Sequence, residues 1–205
     1  PSNSRIYFYG DDDPGERLRI ANDYLKDFDR LKIDSGIELQ ARFDRPRRFI
    51  RAFAAGEGEA GTRGMMTVNW LLQESTDDVM NLALNVLEYI LLGMTGSPLR
   101  KALIESGLGE DLAGVGLGSE VRQLYFSTGL KGLDLDNVDR TQNLIIQALT
   151  NLTLRGIDPN TIEAALNRIE FTLRENNTGA HPRGLLIMLR SLTTCLLYTS
   201  DAADE

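Results

Sequence analysis

The residue types that most often carry out chemistry in proteins are sparse in this chain of 205 residues. His181 is its one histidine and Cys195 its one cysteine, so no pair of strong ligands stands at a spacing that suits zinc. No Gly-x-Ser-x-Gly pattern marks a nucleophilic serine. His181 precedes a proline and a helical pattern, which predicts a turn residue. Residue chemistry alone therefore indicates no active site.

Two further patterns could bind anions. The run GVGLGS superficially resembles a dinucleotide-binding loop, but it follows no predicted strand and opens no helix, so we predict a mobile surface loop. Its glycines are Gly114, Gly116 and Gly118. An arginine cluster comes earlier in the chain, and we predict that it forms a solvated linker and strand face. Its members are Arg42, Arg45, Arg47, Arg48 and Arg51.

The composition favours a soluble globular protein, because 42% of the residues are hydrophobic and 25% are charged. No apolar run approaches the ~20 residues of a membrane helix, so we expect no membrane partner. The net charge of −8 argues against nucleic acid as a partner and suits a basic ligand. One cysteine excludes an internal disulfide framework and indicates a reducing compartment rather than secretion. The chain also opens on a strand-like run rather than a signal peptide.

A strand and a helix are predicted at the start of the chain. RIYFYG alternates in the manner of a strand. DDDPGERL then predicts a helix with Asp13 as its cap and Pro14 at its first position. The helix has one apolar face, formed by Leu18, Ala21, Leu25 and Phe28. The linker KIDSGIELQARFDRPRR follows, and we place a domain boundary there.

The second region is predicted to open with two strands, near residues 48–55 and 65–72. A capping-box-like start at Ser75 or Thr76 begins a helix that runs to Leu92. This helix is apolar almost all round, which predicts that it is buried. Its polar residues are Asn81, Asn85 and Glu88.

The remaining elements are mostly helical. LRKALIES predicts a short helix that ends at Gly107, and EVRQLYFSTGLKGL predicts a strand. Three helices follow, the last beginning near Pro182. The first has an apolar face formed by Val138, Thr141, Ile145, Ala148 and Leu152. The second, after Asp158 and Pro159, has a face formed by Ile162, Ala165, Leu166, Ile169 and Leu173. Strands followed by helices predict an α+β fold, with helices packed on one face of an antiparallel sheet.

Four long strings carry a family resemblance: NSRIYFYGDDDPGERL, SPLRKALIESGLGED, YFSTGLKGL and IEFTLRENNTGAHPRGLLIMLRSL. They strongly resemble the pitrilysin–insulysin family of zinc metallopeptidases, and within it the enzymes that degrade targeting presequences and other short unfolded peptides. The match covers nearly all of residues 1–192. In this family two halves, joined by a helical linker, enclose a chamber in which peptides are cleaved. Zinc lies on a His-x-x-Glu-His helix of the first domain, and the glutamate is the general base.

The resemblance implies a domain assignment and a set of partners. Residues 1–33 would be the closing strand and helix of the first, catalytic domain, 34–47 a linker, and 48–194 an incomplete second, non-catalytic domain. The partners would be peptide substrates and the rest of the same chain, namely the catalytic domain, the helical linker and the second half. The compartment would be the matrix of a mitochondrion or plastid, or a bacterial cytoplasm.

No His-x-x-Glu-His motif occurs in this sequence, so we expect these residues alone to be inactive and to bind no zinc, although the parent enzyme would use it. In the run NVLEYILLG, Asn85 and Tyr89 stand where the family's histidines would be, and Glu88 where its base would be. We interpret them as a degenerate zinc helix; an ordinary helix that contains Glu88 by chance is the alternative. On the first interpretation, Glu88 lies where the helix passes the sheet. It would be partly exposed or bonded to Arg122, Asn85 or Tyr125.

The last eleven residues, CLLYTSDAADE, resemble the translation of a sequencing adapter. We expect residues 195–205 not to belong to the natural protein, whose charge would then be −8 + 3 = −5. Two functions stay open: an interior piece of the peptidase that contributes chamber wall, or a stand-alone non-catalytic binding or assembly subunit of the same family.

Overall fold

The structure is a computed structural model that describes residues 2–34, 36–53, 63–175 and 181–194. Its strands are β1 (Arg63–Glu74), β2 (Asp111–Gly118) and β3 (Gln123–Asp134). Its α-helices are α1 (Pro14–Leu25), α2 (Asp78–Glu88), α3 (Pro98–Glu105), α4 (Val138–Arg155), α5 (Pro159–Glu175) and α6 (Arg183–Thr194). A π-helical turn, Tyr89–Gly93, extends α2, and a 3₁₀ turn, Leu135–Asn137, precedes α4.

The three strands form an antiparallel sheet in the order β1-β3-β2, and helices pack on one of its faces. Leu130 of the central strand, Leu99 and Leu103 of α3, and Ile145 of α4 are completely buried in one cluster. Alternate residues of β1 point into this cluster and the others point away. The predicted α+β fold is therefore confirmed.

The glycine run predicted as a mobile loop forms most of β2 instead. β2 pairs with β3 along its length, with a bulge between Ala113 and Gly116. Gly114 and Gly116 have φ angles of +93° and +68°, which residues with a Cβ rarely adopt. The loop prediction was wrong because glycine lowers strand propensity and gives no alternation of polar and apolar residues.

Two strands predicted in the first 53 residues are not formed. Residues 5–10 and 48–53 have no regular secondary structure, and residues 54 and 55 lie outside the described residues. A strand is stable only through hydrogen bonds to a neighbouring strand, and neither segment has one among the residues that the structure describes. The predicted helix is present as α1. Asp13 caps it by accepting a hydrogen bond from the Gly15 amide at 2.9 Å.

Helix α2 is less buried than predicted. It is capped by Asp77, one or two residues beyond the predicted cap at Ser75 or Thr76, and the Asp77 side chain accepts a hydrogen bond from the Met80 amide. Val86 is its one buried residue, whereas Val79 is 81% exposed. The prediction was wrong because only the C-terminal half of α2 has neighbours, α5 on one side and the sheet on the other.

Residues 78–105 together are long and apolar enough to cross a membrane, judged by length and composition alone. They do not form one continuous helix, because the chain turns between the π-helical segment and α3. Ser97 holds this turn: its hydroxyl accepts a hydrogen bond from the Met94 amide at 2.9 Å and donates to the Tyr89 carbonyl at 3.2 Å. Ser97 is also completely buried, so the turn belongs to the packed structure.

The chain around the linker between the two predicted domains is fixed at the start of β3 and at the start of α4. The Gln40 amide donates to the side-chain oxygen of Gln123, the first residue of β3, at 2.9 Å. Arg48, which follows the linker, pairs with Asp139 at the start of α4, at 2.5 Å, and also bonds Gln142. Both ends of this segment are therefore held by residues of the larger region.

Candidate functional site

The three predicted zinc-helix positions lie where α2 passes into the π-helical turn. Asn85, Glu88 and Tyr89 have the spacing i, i+3, i+4, which places them near one another on a helix surface. Single π-turns often occur at functional sites, because they shift the side chains beyond them by about one residue. The structure gives each of the three side chains a different environment, however.

Glu88 faces the sheet. Its Oε1 atom lies against Gly116 of β2, so closely that a Cβ added to Gly116 would overlap it. The side chain is half-buried, and no residue in the described part of the chain donates a hydrogen bond to it. Burial without a positive partner raises the pKa of the Glu88 carboxyl above its ordinary value. The position against the sheet and the partial exposure are those expected from the sequence.

Gly116 is required at this contact for two reasons. Its φ angle of +68° lies in the left-handed region that strains other residues. Its missing side chain also leaves the space into which the Glu88 carboxylate projects. The bulge of β2 and the acidic residue of α2 therefore form a single feature, although 28 positions separate them in sequence (116 − 88).

Asn85 and Tyr89 do not join Glu88 in a common site. The Asn85 amide donates to the carbonyl of Asn81 in the same helix at 2.7 Å. The Tyr89 ring packs with Val86, Ile90 and Ala165 in the contact between α2 and α5, and it also lies against Gly93. Both side chains serve the helix and its packing.

This donor set does not fit a zinc ion. Zinc prefers imidazole, thiolate and carboxylate ligands, usually four around the metal, and here a single carboxylate stands beside an amide engaged in its own helix and a packed phenol ring. Among the described residues, no three His, Cys, Asp or Glu side chains are grouped as metal ligands. No metal-dependent step can be assigned to these positions.

Arg122 was one of three possible partners expected for Glu88, and it binds elsewhere. Its Nε atom pairs with Glu74 at the end of β1, at 2.6 Å, and its guanidinium also donates to the Ile37 carbonyl in the linker. No sequence pattern predicted this pair, because Glu74 and Arg122 are 48 residues apart. Neither Asn85 nor Tyr125, the other two expected partners, bonds Glu88 in the described part of the chain.

The remaining predicted groups lie away from Glu88. All five arginines of the linker cluster are exposed, as predicted. The Arg47 guanidinium lies over the Phe43 ring, 4.6 Å from its centroid. His181 is exposed in the bend before α6, as predicted for a turn residue.

The stretch of sequence that contains Glu88 is acidic. Residues 70–121, which include the end of β1, α2, α3 and β2, hold eight acidic and two basic side chains, a net charge of −6. The whole chain has a net charge of −8, so most of its excess negative charge lies in this quarter of the sequence. Asp111 is the one charged residue of β2, and it pairs with Lys131 at 3.0 Å.

Comparison with known protein families identifies the class of protein. The sequence profile described as the Peptidase M16 inactive domain matches residues 1–169, and the chain belongs to this family. The family is one of peptidases, and the match supports the resemblance to pitrilysin-type enzymes.

The chain is similar to three proteins that show which members of the family are related to it. It is 46% identical, over 94% of its length, to presequence protease 1 of Arabidopsis thaliana, a chloroplastic and mitochondrial protein. It is 34% identical, over 98% of its length, to the protein HypA of Clostridium perfringens. It is 28% identical, over its full length, to the mitochondrial presequence protease of Xenopus laevis. The chain spans about a fifth of the length of these relatives, namely 18%, 21% and 20%.

Proposed function

We propose that this chain is a non-catalytic domain of a zinc metalloendopeptidase that degrades targeting presequences and other short unfolded peptides. Its role is to form part of the wall of the chamber in which peptides are held, and to pack against the catalytic domain. Zinc and the cleavage chemistry belong to another part of the longer protein.

One observation carries this proposal. The profile of the inactive domain matches 169 consecutive residues of a chain that also resembles presequence proteases over almost its whole length. The chemistry of the described residues agrees with it, because the donors at the zinc-helix positions do not suit zinc. A domain without catalytic groups acts on a substrate through its surface.

The charge of the chain also supports a peptide substrate of the presequence type. Transit peptides are rich in arginine and poor in acidic residues. An acidic surface attracts such peptides and raises their local concentration. The net charge of −6 over residues 70–121 supplies this attraction.

The domain division of the sequence stays part of the proposal. We assign residues 1–33 to the end of the preceding, catalytic domain and residues 48–194 to the non-catalytic domain. Two exposed apolar side chains support this, Leu18 of α1 at 68% and Phe28 just after α1 at 59%, because both would need a covering surface. By its relatives, we place the protein in an organelle matrix or a bacterial cytoplasm.

The decisive experiment begins with the gene. The reading frame upstream of Pro1 is expected to encode a His-x-x-Glu-His motif, and the longer protein is expected to contain zinc and to degrade a synthetic presequence peptide. Replacing the motif glutamate by glutamine should abolish degradation. The 205-residue chain alone should have no activity. A start codon shortly before Pro1, together with an acidic chain that binds a separate peptidase, would instead establish the stand-alone subunit.

A further inference from the structure

We propose that Glu88 and the glycine bulge of β2 form a binding site for one guanidinium group. The shared chemistry is that of an arginine side chain, and we assign it to an arginine of a bound peptide. This assignment to a peptide rests on the proposed function; the cation site itself does not.

Glu88 is a carboxylate without a partner among the described residues. It is half-buried, and no described residue bonds it or pairs with it. Glu74 shows the alternative within the same fold: it is also partly buried, but Arg122 pairs with it at 2.6 Å. Removing a carboxylate from water without a compensating charge is unfavourable. Glu88 therefore still needs a positive group, whereas Glu74 already has one.

The strand beside Glu88 can offer backbone acceptors to a ligand. The missing side chain of Gly116 lets the Glu88 carboxylate lie directly against the bulge of β2. A bulge leaves one residue of its strand outside the regular ladder, so backbone groups there can bind other partners. β2 is also an edge strand in the described sheet, because the strand order is β1-β3-β2.

A single carboxylate favours a guanidinium group over a metal ion. A divalent metal needs several oxygen ligands, and Glu88 is the only acidic side chain that the structure places at this bulge. A guanidinium group needs one carboxylate, to which it donates two parallel hydrogen bonds, and its remaining N–H groups can bond to backbone carbonyls. The excess negative charge of residues 70–121 favours the approach of any cation.

The test uses the 205-residue chain and two small probes, N-acetyl-arginine amide and N-acetyl-citrulline amide. Citrulline has nearly the same shape as arginine but no charge. The side-chain carboxyl carbons of glutamate are followed by NMR while each probe is added up to about 50 mM. We expect the Glu88 signal to shift with the arginine probe at least threefold more than with the citrulline probe. The exposed Glu163 of α5 provides the internal reference.

The second arm asks where the guanidinium comes from. A synthetic presequence peptide is compared with the same peptide in which every arginine is replaced by citrulline. In the Glu163→Gln variant, we expect the preference for the arginine peptide over the citrulline peptide to be about five- to tenfold larger than in Glu88→Gln. Since both variants lose one negative charge, overall charge cannot explain this difference. Glu163→Gln is the matched control because it removes the same charge from an exposed site.

The outcomes separate the two proposals. Equal shifts of Glu88 with both small probes would overturn the cation site whatever the peptides do. A Glu88 response to the arginine probe, without an effect of Glu88→Gln on peptide binding, would keep the guanidinium site but overturn its assignment to a peptide. In that case an arginine elsewhere in the longer protein is the ligand, and Glu88→Gln should lower the melting temperature of that protein. Failure of both peptides to bind, together with a Glu88 response to the arginine probe, would count against the proposed wall function alone.

Discussion

Residues 2–53 and residues 63–175 contain the same kinds of local helix signal, but they differ completely in burial. No described residue of the first region is buried, whereas the second holds every side chain that is completely buried. Each region has a helix capped by aspartate, Asp13 for α1 and Asp77 for α2. The comparison shows that capping and periodicity are sufficient to define a helix, while a core requires elements that meet from distant parts of the chain.

The difference between the regions should be largest for truncated leucines. Leu130→Ala leaves a cavity in the centre of the sheet and should lower the free energy of unfolding by about 2–5 kcal/mol. Leu18→Ala on the exposed face of α1 should change it by less than about 0.5 kcal/mol. Urea denaturation followed by tryptophan fluorescence measures both, since Trp70 packs against the core. Similar losses for the two variants would mean that α1 is part of the cooperative unit.

A test of backbone packing uses two glycines of the larger region. A Cβ at Gly129 would overlap the Met66 carbonyl oxygen in the neighbouring strand, and a backbone atom there cannot move aside easily. Gly129→Ala should therefore cost about 1–3 kcal/mol. Gly96→Ala is the control, because nothing lies within 4 Å of its added Cβ. A Gly129→Ala protein with the urea midpoint of the natural chain would contradict the tight pairing of β1 and β3.

The two helix caps provide a matched pair across the regions. Asp77→Ala should lower the free energy of global unfolding by about 1 kcal/mol, because α2 is packed at its C-terminal end. Asp13→Ala loses an equivalent hydrogen bond, but it should leave the global urea midpoint unchanged and reduce helix content only. Circular dichroism measures the helix content and fluorescence the midpoint. A shift of the midpoint in Asp13→Ala would show that the two regions unfold as one cooperative unit.

The smallest effect concerns pH and Glu88. Burial raises its pKa in the folded chain, so the folded state holds this proton more tightly than the unfolded state. Stability should accordingly fall as the pH rises from about 4.3, the usual glutamate value, through the raised pKa. Glu88→Gln should match the natural chain at low pH and exceed it in stability near neutral pH. Urea titrations at several pH values measure this, with Glu163→Gln as the charge control. A natural chain that becomes more stable than Glu88→Gln as the pH rises would contradict the prediction.

The sequence alone predicted the features that depend on near neighbours. The cap of α1 and the apolar patterns of α1, α4 and α5 are local, and the predicted helices are present. The strand β2 was missed because its glycines give no periodic pattern, and the predicted strands at 5–10 and 48–53 failed because pairing depends on a partner.

The candidate site was predictable only in part. The run NVLEYILLG predicted that Glu88 lies on a helix next to the sheet, and in the structure its carboxylate lies against Gly116 of β2. Its contact with Gly116 could not be predicted, because nothing in one short segment specifies the register of another 28 residues away. The pair of Arg122 with Glu74 is a similar case: either carboxylate could have attracted the arginine, and the sheet register decided between them.

The linker, held at the start of β3 and at the start of α4, has a consequence for length. Between Gln40 and Arg48 the chain has eight steps, which can span at most about 26–29 Å. A segment held at both ends tolerates added residues, which only loosen it, whereas missing residues shorten its reach. Deleting two residues between Arg42 and Arg47 should release one anchor, seen as new protease cleavage there, whereas inserting two glycines should not.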